Sequence, residues 1–129
     1  MTLEEIFKNY ALSDGEMLSF HILFESTSVI PARNQVSIVL KVRKRLRKQQ
    51  YESCTITLEF DNATDINVSE DFRTNGAYSD IVLIKLTNGQ FYLSVDPYGN
   101  TGEPSEMDNF VIKAEKLALL DKDVRHVIF

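Results

Sequence analysis

The sequence predicts a mainly β domain, an antiparallel sandwich or curved sheet with one short helix at its N-terminus. Apolar residues recur at every second position through several runs of strand length, the period of a half-buried strand. Turn-forming steps such as Asp14-Gly15, Asp61-Asn62 and Asn88-Gly89 punctuate those runs. Between Asp80 and Asp96, two β-like runs flank Asn88-Gly89, a strong local hairpin signal. A two-residue type I′ turn there pairs Val82 with Val95, Ile84 with Leu93 and Leu86 with Phe91, placing six apolar side chains on one face. Ile81, Leu83 and Lys85 then oppose Tyr92, Ser94 and Asp96 on a half-apolar second face that looks toward water or a partner.

At the N-terminus, Thr2 and Glu5 have capping-box spacing, and Leu3, Ile6, Phe7 and Tyr10 form one apolar stripe of a short helix ended by Asp14-Gly15. From Met17 to Glu25, Leu18, Phe20, Ile22 and Phe24 alternate with polar residues, and His21 falls on the polar side. Ser26 to Gln35 is turn-like, with Pro31 barring central-strand pairing. Val36, Ile38, Leu40 and Val42 make a second alternating run, and Cys54, Ile56, Leu58 and Phe60 a third. A loop of Lys48 to Gln50 puts both rows on one face, pairing Val42 with Ile56 and Leu40 with Leu58. Asp61-Asn62 closes this pair, Ile66 and Val68 suggest a short strand, and Glu70 to Ser79 reads as a loop. Phe110 to Leu120 is a strand with a bulge near Glu115, or else a helix. Val124 to Ile128 makes a last short strand with His126 exposed. The expected core comprises Leu18, Phe20, Ile22, Phe24, Ile38, Leu40, Ile56, Leu58, Ile84, Leu86, Phe91 and Leu93.

A chain of 129 residues without repeats or linkers is expected to form a single domain over 1–129. It has no apolar run of the ~18 residues that a spanning helix needs, and its acidic, amphipathic start is unlike a signal peptide. A cytoplasmic protein without a membrane segment is the expectation. The lone Cys54 lies on an apolar strand face, which favours a buried structural thiol. Net charge is −5, yet six of the eight residues from Lys41 to Lys48 are basic. The remainder of the chain, with eight basic and nineteen acidic residues, stands near −11. Such a split concerns partners and solubility rather than fold.

No catalytic, cofactor-binding or metal-binding pattern emerges. His21, His126 and Cys54 have no zinc-ligand spacing, and the glycines form neither a phosphate loop nor a dinucleotide fingerprint. The long turn-rich segment from Pro97 to Asn109 lacks the oxygen ladder of a calcium loop. An enzyme would have to gather His21 or His126 with carboxylates in a pocket, so the expectation is a protein that is not an enzyme. The basic hairpin tip, Lys41, Arg43, Lys44, Arg45, Arg47 and Lys48, admits three readings: a solvated guard against edge-to-edge pairing, a protein contact, or nucleic-acid binding. Against the last, only Tyr51 is interleaved as an aromatic, and the acidic remainder repels a polyanion.

The stretch Tyr78-Ser79-Asp80-Ile81-Val82-Leu83, continuing through Asn88-Gly89-Gln90-Phe91-Tyr92-Leu93-Ser94-Val95-Asp96-Pro97-Tyr98 to Gly102-Glu103-Pro104-Ser105-Glu106-Met107-Asp108-Asn109, resembles small bacterial immunity proteins of polymorphic toxin and contact-dependent growth inhibition systems. The similarity covers about a third of the chain. It implies a cytosolic protein that neutralises a cognate toxin domain by binding it, without transferring any binding residue. A toxin such as a nuclease presents positive charge to phosphate, and the acidic part of the chain is suited to steer toward and cover such a surface. If the long loop is the reader, Asp96, Tyr98, Glu103, Glu106 and Asp108 form its rim, with Phe72 and Tyr78 as aromatic anchors.

Overall fold

The computed structural model describes residues 1–25, 33–69, 76–99 and 101–129. One helix, α1 (Leu3–Asn9), precedes eight strands: β1 (Tyr10–Phe24), β2 (Asn34–Arg47), β3 (Gln50–Val68), β4 (Ala77–Tyr78), β5 (Ile81–Lys85), β6 (Phe91–Val95), β7 (Phe110–Asp121) and β8 (Val124–Ile128). They form one antiparallel sheet of order β4-β1-β2-β3-β7-β6-β5, curled into a half-barrel, with β8 paired to the C-terminal half of β7. The curved alternative is therefore the observed one, and among the described residues no second sheet makes a sandwich.

The capping box forms as its spacing predicts: Thr2 Oγ1 accepts from the Glu5 amide at 3.1 Å and Glu5 Oε2 from the Thr2 amide at 2.8 Å. The helix ends at Asn9 rather than at Asp14-Gly15, because Tyr10 is already extended and begins a strand paired with Lys44. Ile6 buries fully against the sheet while Phe7 stays largely exposed.

The core fills the concave side, with Val36, Ile38, Leu40, Ile56, Leu58, Phe60, Leu117 and Leu119 inward at alternate positions. The β2–β3 faces are as expected, but the register differs by two residues. Val42 pairs with Cys54 and Leu40 with Ile56, because the turn is only Lys48–Gln49, with Gln49 at φ 62° and a bulge between Arg45 and Arg47. Asp61-Asn62 does not end the strand. β3 runs for 19 residues from Gln50 to Val68, and Asn62, at φ 56°, lets the strand change its inward parity from Phe60 to Ala63. Across it, β7 changes parity from Ala114 to Leu117, so the two strands switch together while the register shift itself falls between Ala63 and Asp65. The segment Phe110 to Leu120 is strand throughout, not helix.

The central hairpin carries the largest correction. Gly89 donates to the Leu86 carbonyl and Leu86 to the Gln90 carbonyl, so Thr87, Asn88 and Gly89 form a three-residue loop with Gly89 at φ 90°. The Asn88 side chain accepts from the Gln90 amide at 3.0 Å, which favours this turn over the two-residue type. One extra loop residue shifts the register by one and reverses the parity of β5: Ile81 pairs with Val95 and Leu83 with Leu93, all facing the core. Ile84 and Leu86, expected in the main core, instead join Val82, Tyr92 and Val111 in a small cluster on the outer face.

Leu18, Ile22 and Phe24 are corrections of another kind. They have the predicted period but are 49%, 41% and 59% exposed, and Phe20 is only half-buried, edge-on to Phe110. A register shift between Met17 and Ser19 turns Leu18 outward, and Ile22 and Phe24 lie on the far half of β1, past the core that Phe20 still reaches. Cys54 is half-buried against the core, and His126 is half-buried rather than exposed.

The curl brings β1 against the segment leading into β5. β4 pairs with Gly15 and Glu16, Asp14 donates to the Ser79 carbonyl at 2.8 Å, and the Tyr78 hydroxyl donates to the Leu12 carbonyl at 2.7 Å. A Cβ on Gly15 would stand 2.4 Å from the Tyr78 hydroxyl, and one on Gly76 would stand 2.1 Å from the Met17 carbonyl oxygen. Gly76→Ala is therefore expected to destabilise the protein by about 1–3 kcal/mol, the range for overpacking. Tyr78→Phe, which strands a buried carbonyl, is expected to cost about 1–3 kcal/mol. Both are read as lower urea midpoints, and an unchanged midpoint for Gly76→Ala would show that the seam does not constrain the sheet.

Candidate functional site

The loop from Asp96 to Asn109 is built around a buried carboxylate. Asp108 Oδ1 accepts from the Tyr98 amide at 2.8 Å, and Oδ2 accepts from the Ser105 amide at 3.0 Å and from the Tyr92 hydroxyl on β6. Tyr92 points outward from β6, as the alternation predicts, and the loop folds back over it. Gly99 and Gly102, at φ 65° and 73°, supply the turns. Burial alone pushes the Asp108 carboxyl up, but the bonds from Tyr92, Tyr98 and Ser105 outweigh it and hold the carboxyl below its ordinary value. The Tyr92 hydroxyl is pushed up, by burial and then by the same carboxylate.

Asp108 is thus a positioning residue inside the loop rather than part of its rim. Asp96 remains exposed, but its carboxylate accepts from the Ser79 and Asp80 amides at 2.8 and 3.3 Å and ties the loop's start to the seam. Tyr78 is 5% exposed and belongs to the seam, so it is no surface anchor. Phe72 lies outside the described residues. Tyr98, 62% exposed, and the exposed carboxylates Glu103 and Glu106 do share the loop's surface. Met107, 61% exposed, joins them and escaped the sequence reading because nothing distinguishes a loop methionine from a core one. A groove of about 610 Å³ runs beside the loop between Tyr92, Pro104 and Glu106 on one side and Asp65 and Lys113 on the other. Loop residues 96–109 contain four carboxylates and no basic side chain.

The basic hairpin stands at the other end of β3. Its residues separate into two groups. Lys44 turns inward, where its Nζ meets Asp121 Oδ2 at 2.9 Å, and the same oxygen accepts from the Tyr10 hydroxyl at 2.6 Å. Burial pushes the Asp121 carboxyl up, but the bonds from Tyr10 and Lys44 overcome it and hold it low; Lys44 is raised, chiefly by its bond to Asp121. Arg43 and Arg45 turn outward and both stack on Tyr51, at 5.6 and 5.3 Å from the ring centre, with Arg45 also donating to the Tyr51 hydroxyl. Lys41, Arg47 and Lys48 are exposed, and among the described residues no carboxylate forms an ion pair with these three or with Arg43 and Arg45.

Among the described residues, His126 and Asp121 both line a cleft of about 280 Å³, the kind of histidine–carboxylate grouping an enzyme would need. Asp121 is already engaged by Tyr10 and Lys44, and the Cys54 thiol is pushed up by burial and then by Asp121, which suits an inert thiol. His21 is exposed on β1. Among the described residues, no group of three His, Cys, Asp or Glu side chains is placed to hold a metal ion, and no helix is long and apolar enough to cross a membrane.

Because Asp108 has a lowered value in the folded protein, its contribution to stability is complete above the unfolded carboxyl value of about 3.9. It is lost as pH falls through the lower folded value. Asp108→Asn is therefore expected to flatten the acid limb of the stability profile measured by urea unfolding between pH 2 and 5. It is also expected to raise amide hydrogen exchange at Tyr98 and Ser105. An acid limb and exchange rates equal to those of the wild type would show that the carboxylate does not hold the loop.

Comparison of the chain with models of protein families, with curated proteins and with solved structures gives no match in any of the three.

Proposed function

We propose that the protein acts in the cytoplasm as a binding protein that occludes a partner, most concretely an immunity protein that covers a basic surface of a cognate bacterial toxin domain such as a nuclease. The observation that supports this is the pre-organised loop: Asp108 fixes a segment whose exposed side chains include Tyr98, Met107, Glu103 and Glu106. Aromatic and methionine side chains are the enriched residues of interface centres, and rim charges set specificity and association rate. A loop already tied in place loses less conformational freedom on binding than a free one. The resemblance over Tyr78 to Asn109 includes this same loop and is the ground for proposing a toxin as the partner, while the acidic charge of the chain is the ground for proposing a nuclease.

The test is a pull-down with the product of the adjacent upstream gene, followed by growth rescue on co-expression. Binding and protection are expected. In the complex, Tyr98→Ala is expected to weaken affinity by about 2 kcal/mol, roughly thirty-fold, as for an interface hot spot. Glu103→Lys with Glu106→Lys is expected to act mainly by slowing association, most visibly at low salt. Failure to bind or protect would remove immunity to the adjacent toxin. A confirmed complex indifferent to both substitutions would move the interface away from the loop.

A further inference from the structure

We propose that the β2–β3 arm is a nucleic-acid docking surface that grips the phosphate backbone of a duplex. Independent of the loop at the other end, this assignment rests on the shape and charge of the arm. Pairing of β1 with β2 stops at Tyr10 and Lys44, and pairing of β7 with β3 stops at Ile56 and Asp121. Beyond those points the strand pair is flanked by no third strand among the described residues, over 45–47 of β2 and 50–55 of β3, while Lys41 and Arg43 stand just below it on the part of β2 that β1 still pairs. A ribbon of that kind is one of the two elements that the roughly 12 Å major groove of B-DNA admits.

Strand alternation puts Lys41, Arg43 and Arg45 in one outward row, spaced by about 7 Å, with Arg47 and Lys48 at the tip. The opposing positions on β3 are Thr55, Ser53 and Tyr51, uncharged side chains whose hydroxyls suit phosphate oxygens. Lys44 and Glu52 lie on the other face, and Asp121 is engaged by Lys44. The outward row keeps its charge, with Glu16, opposite Lys41, as its one acidic neighbour in register. Tyr51 organises the pair: both guanidiniums stack on its ring, Arg45 donates to its hydroxyl, and Arg43 also donates to the Ser13 carbonyl at 3.3 Å. With its ring so occupied, Tyr51 is a poor platform for a base, and single-strand binding depends on such stacking. A duplex is therefore the fitting occupant.

The acidic residues divide by position: Glu16 and Glu52 lie in register with the arm, and Asp80 and Asp96 stand at the seam beside Ser13, whose carbonyl accepts from Arg43, while the rest of the long loop lies farther off. The loop with four carboxylates connects β6 to β7, and Phe110 at the start of β7 pairs with Val68, the end of β3 opposite to Gln50. Eighteen residue steps separate the ends of β3, up to about 60 Å along the strand at ~3.3 Å each. Glu103, Glu106 and Asp108, in the part of the loop nearer to β7, are screened from the arm at physiological salt, where the Debye length is about 8 Å, whereas Asp96 is held at the seam.

Fluorescence anisotropy of the full chain with a labelled mixed-sequence 20-base-pair duplex, from 50 to 200 mM salt, tests the assignment. Micromolar binding at 50 mM salt is expected, falling with salt on a log–log slope near −4, as for about five neutralised phosphates. Arg43→Gln with Arg45→Gln and Arg47→Gln, checked for an unchanged circular dichroism spectrum, is expected to bind at least tenfold more weakly and to reduce the slope by about 3. Lys113→Gln with Lys116→Gln, at the opposite end, is expected to bind as the wild type does. No binding at 50 mM salt overturns the proposal, and so does binding that survives the triple substitution. Tighter binding to the single strand, or displacement of the duplex by polyglutamate at equal charge, also overturns it by assigning the arm to another class of partner.

Discussion

The hydroxyl of Tyr78 crosses the seam of the curled sheet to the Leu12 carbonyl, and its ring occupies the space that a side chain on Gly15 would need. Much of the architecture depends on that close approach. It brings Asp14 and Ser13 near the start of β1 to Ser79 and Asp80, and so sets the entry to β5, which pairs with β6 as β6 in turn pairs with β7. Asp96 belongs to the same seam through the Ser79 and Asp80 amides, so the start of the long loop is positioned by sheet closure rather than by its own sequence. A sheet closed this tightly has little freedom to change curvature, because interiors at crystal-like density transmit displacement instead of absorbing it.

Two carboxylates do comparable work at opposite ends of β3. Asp108 organises the loop over Tyr92, and Asp121 joins Tyr10, at the junction of helix and first strand, to Lys44 at the base of the arm. In each case a buried acid is made tolerable by a tyrosine hydroxyl and further donors, as burial of charge requires. Each end of the molecule therefore has a rigid root and an exposed periphery: Tyr98 and Met107 among carboxylates at one end, arginines stacked on Tyr51 at the other.

Most strand positions were legible because burial on one face imposes a period of two, and Ile38, Leu40, Ile56, Leu58, Phe91 and Leu93 are in the core as that period predicts. Register was less legible, since a single loop residue decides it. Asn88-Gly89 announces a hairpin but fits both a two-residue turn and a three-residue loop with glycine last, and the choice exchanges the inward and outward residues of β5. Alternation also says nothing about whether anything packs on the chosen face, which is why Ile22 and Phe24 satisfy the pattern and remain exposed. At the candidate sites, the sequence marked a charge-rich loop and a basic tip, and Tyr98, Glu103, Glu106, Arg43 and Arg45 do stand at their surfaces. The pairings of Tyr10 with Asp121 and of Tyr78 with Leu12 join residues 111 and 66 positions apart, a separation across which no local pattern carries information. Inward diversion of Lys44 and Asp108 had the same origin.

Charge separated along the 19-residue length of β3 has a kinetic consequence. With cations at one tip that form no ion pair among the described residues, and Glu103, Glu106 and Asp108 in a loop free of basic residues toward the other, these groups contribute an electric dipole roughly along that strand. Such a body turns in the field of a charged macromolecule before the two touch. It approaches a positive surface loop-first and a negative one arm-first, so much of the rotational search that limits ordinary association is finished before contact. Raising the ionic strength shortens the range of that torque, so misoriented collisions become more frequent even where the docked contacts are unchanged.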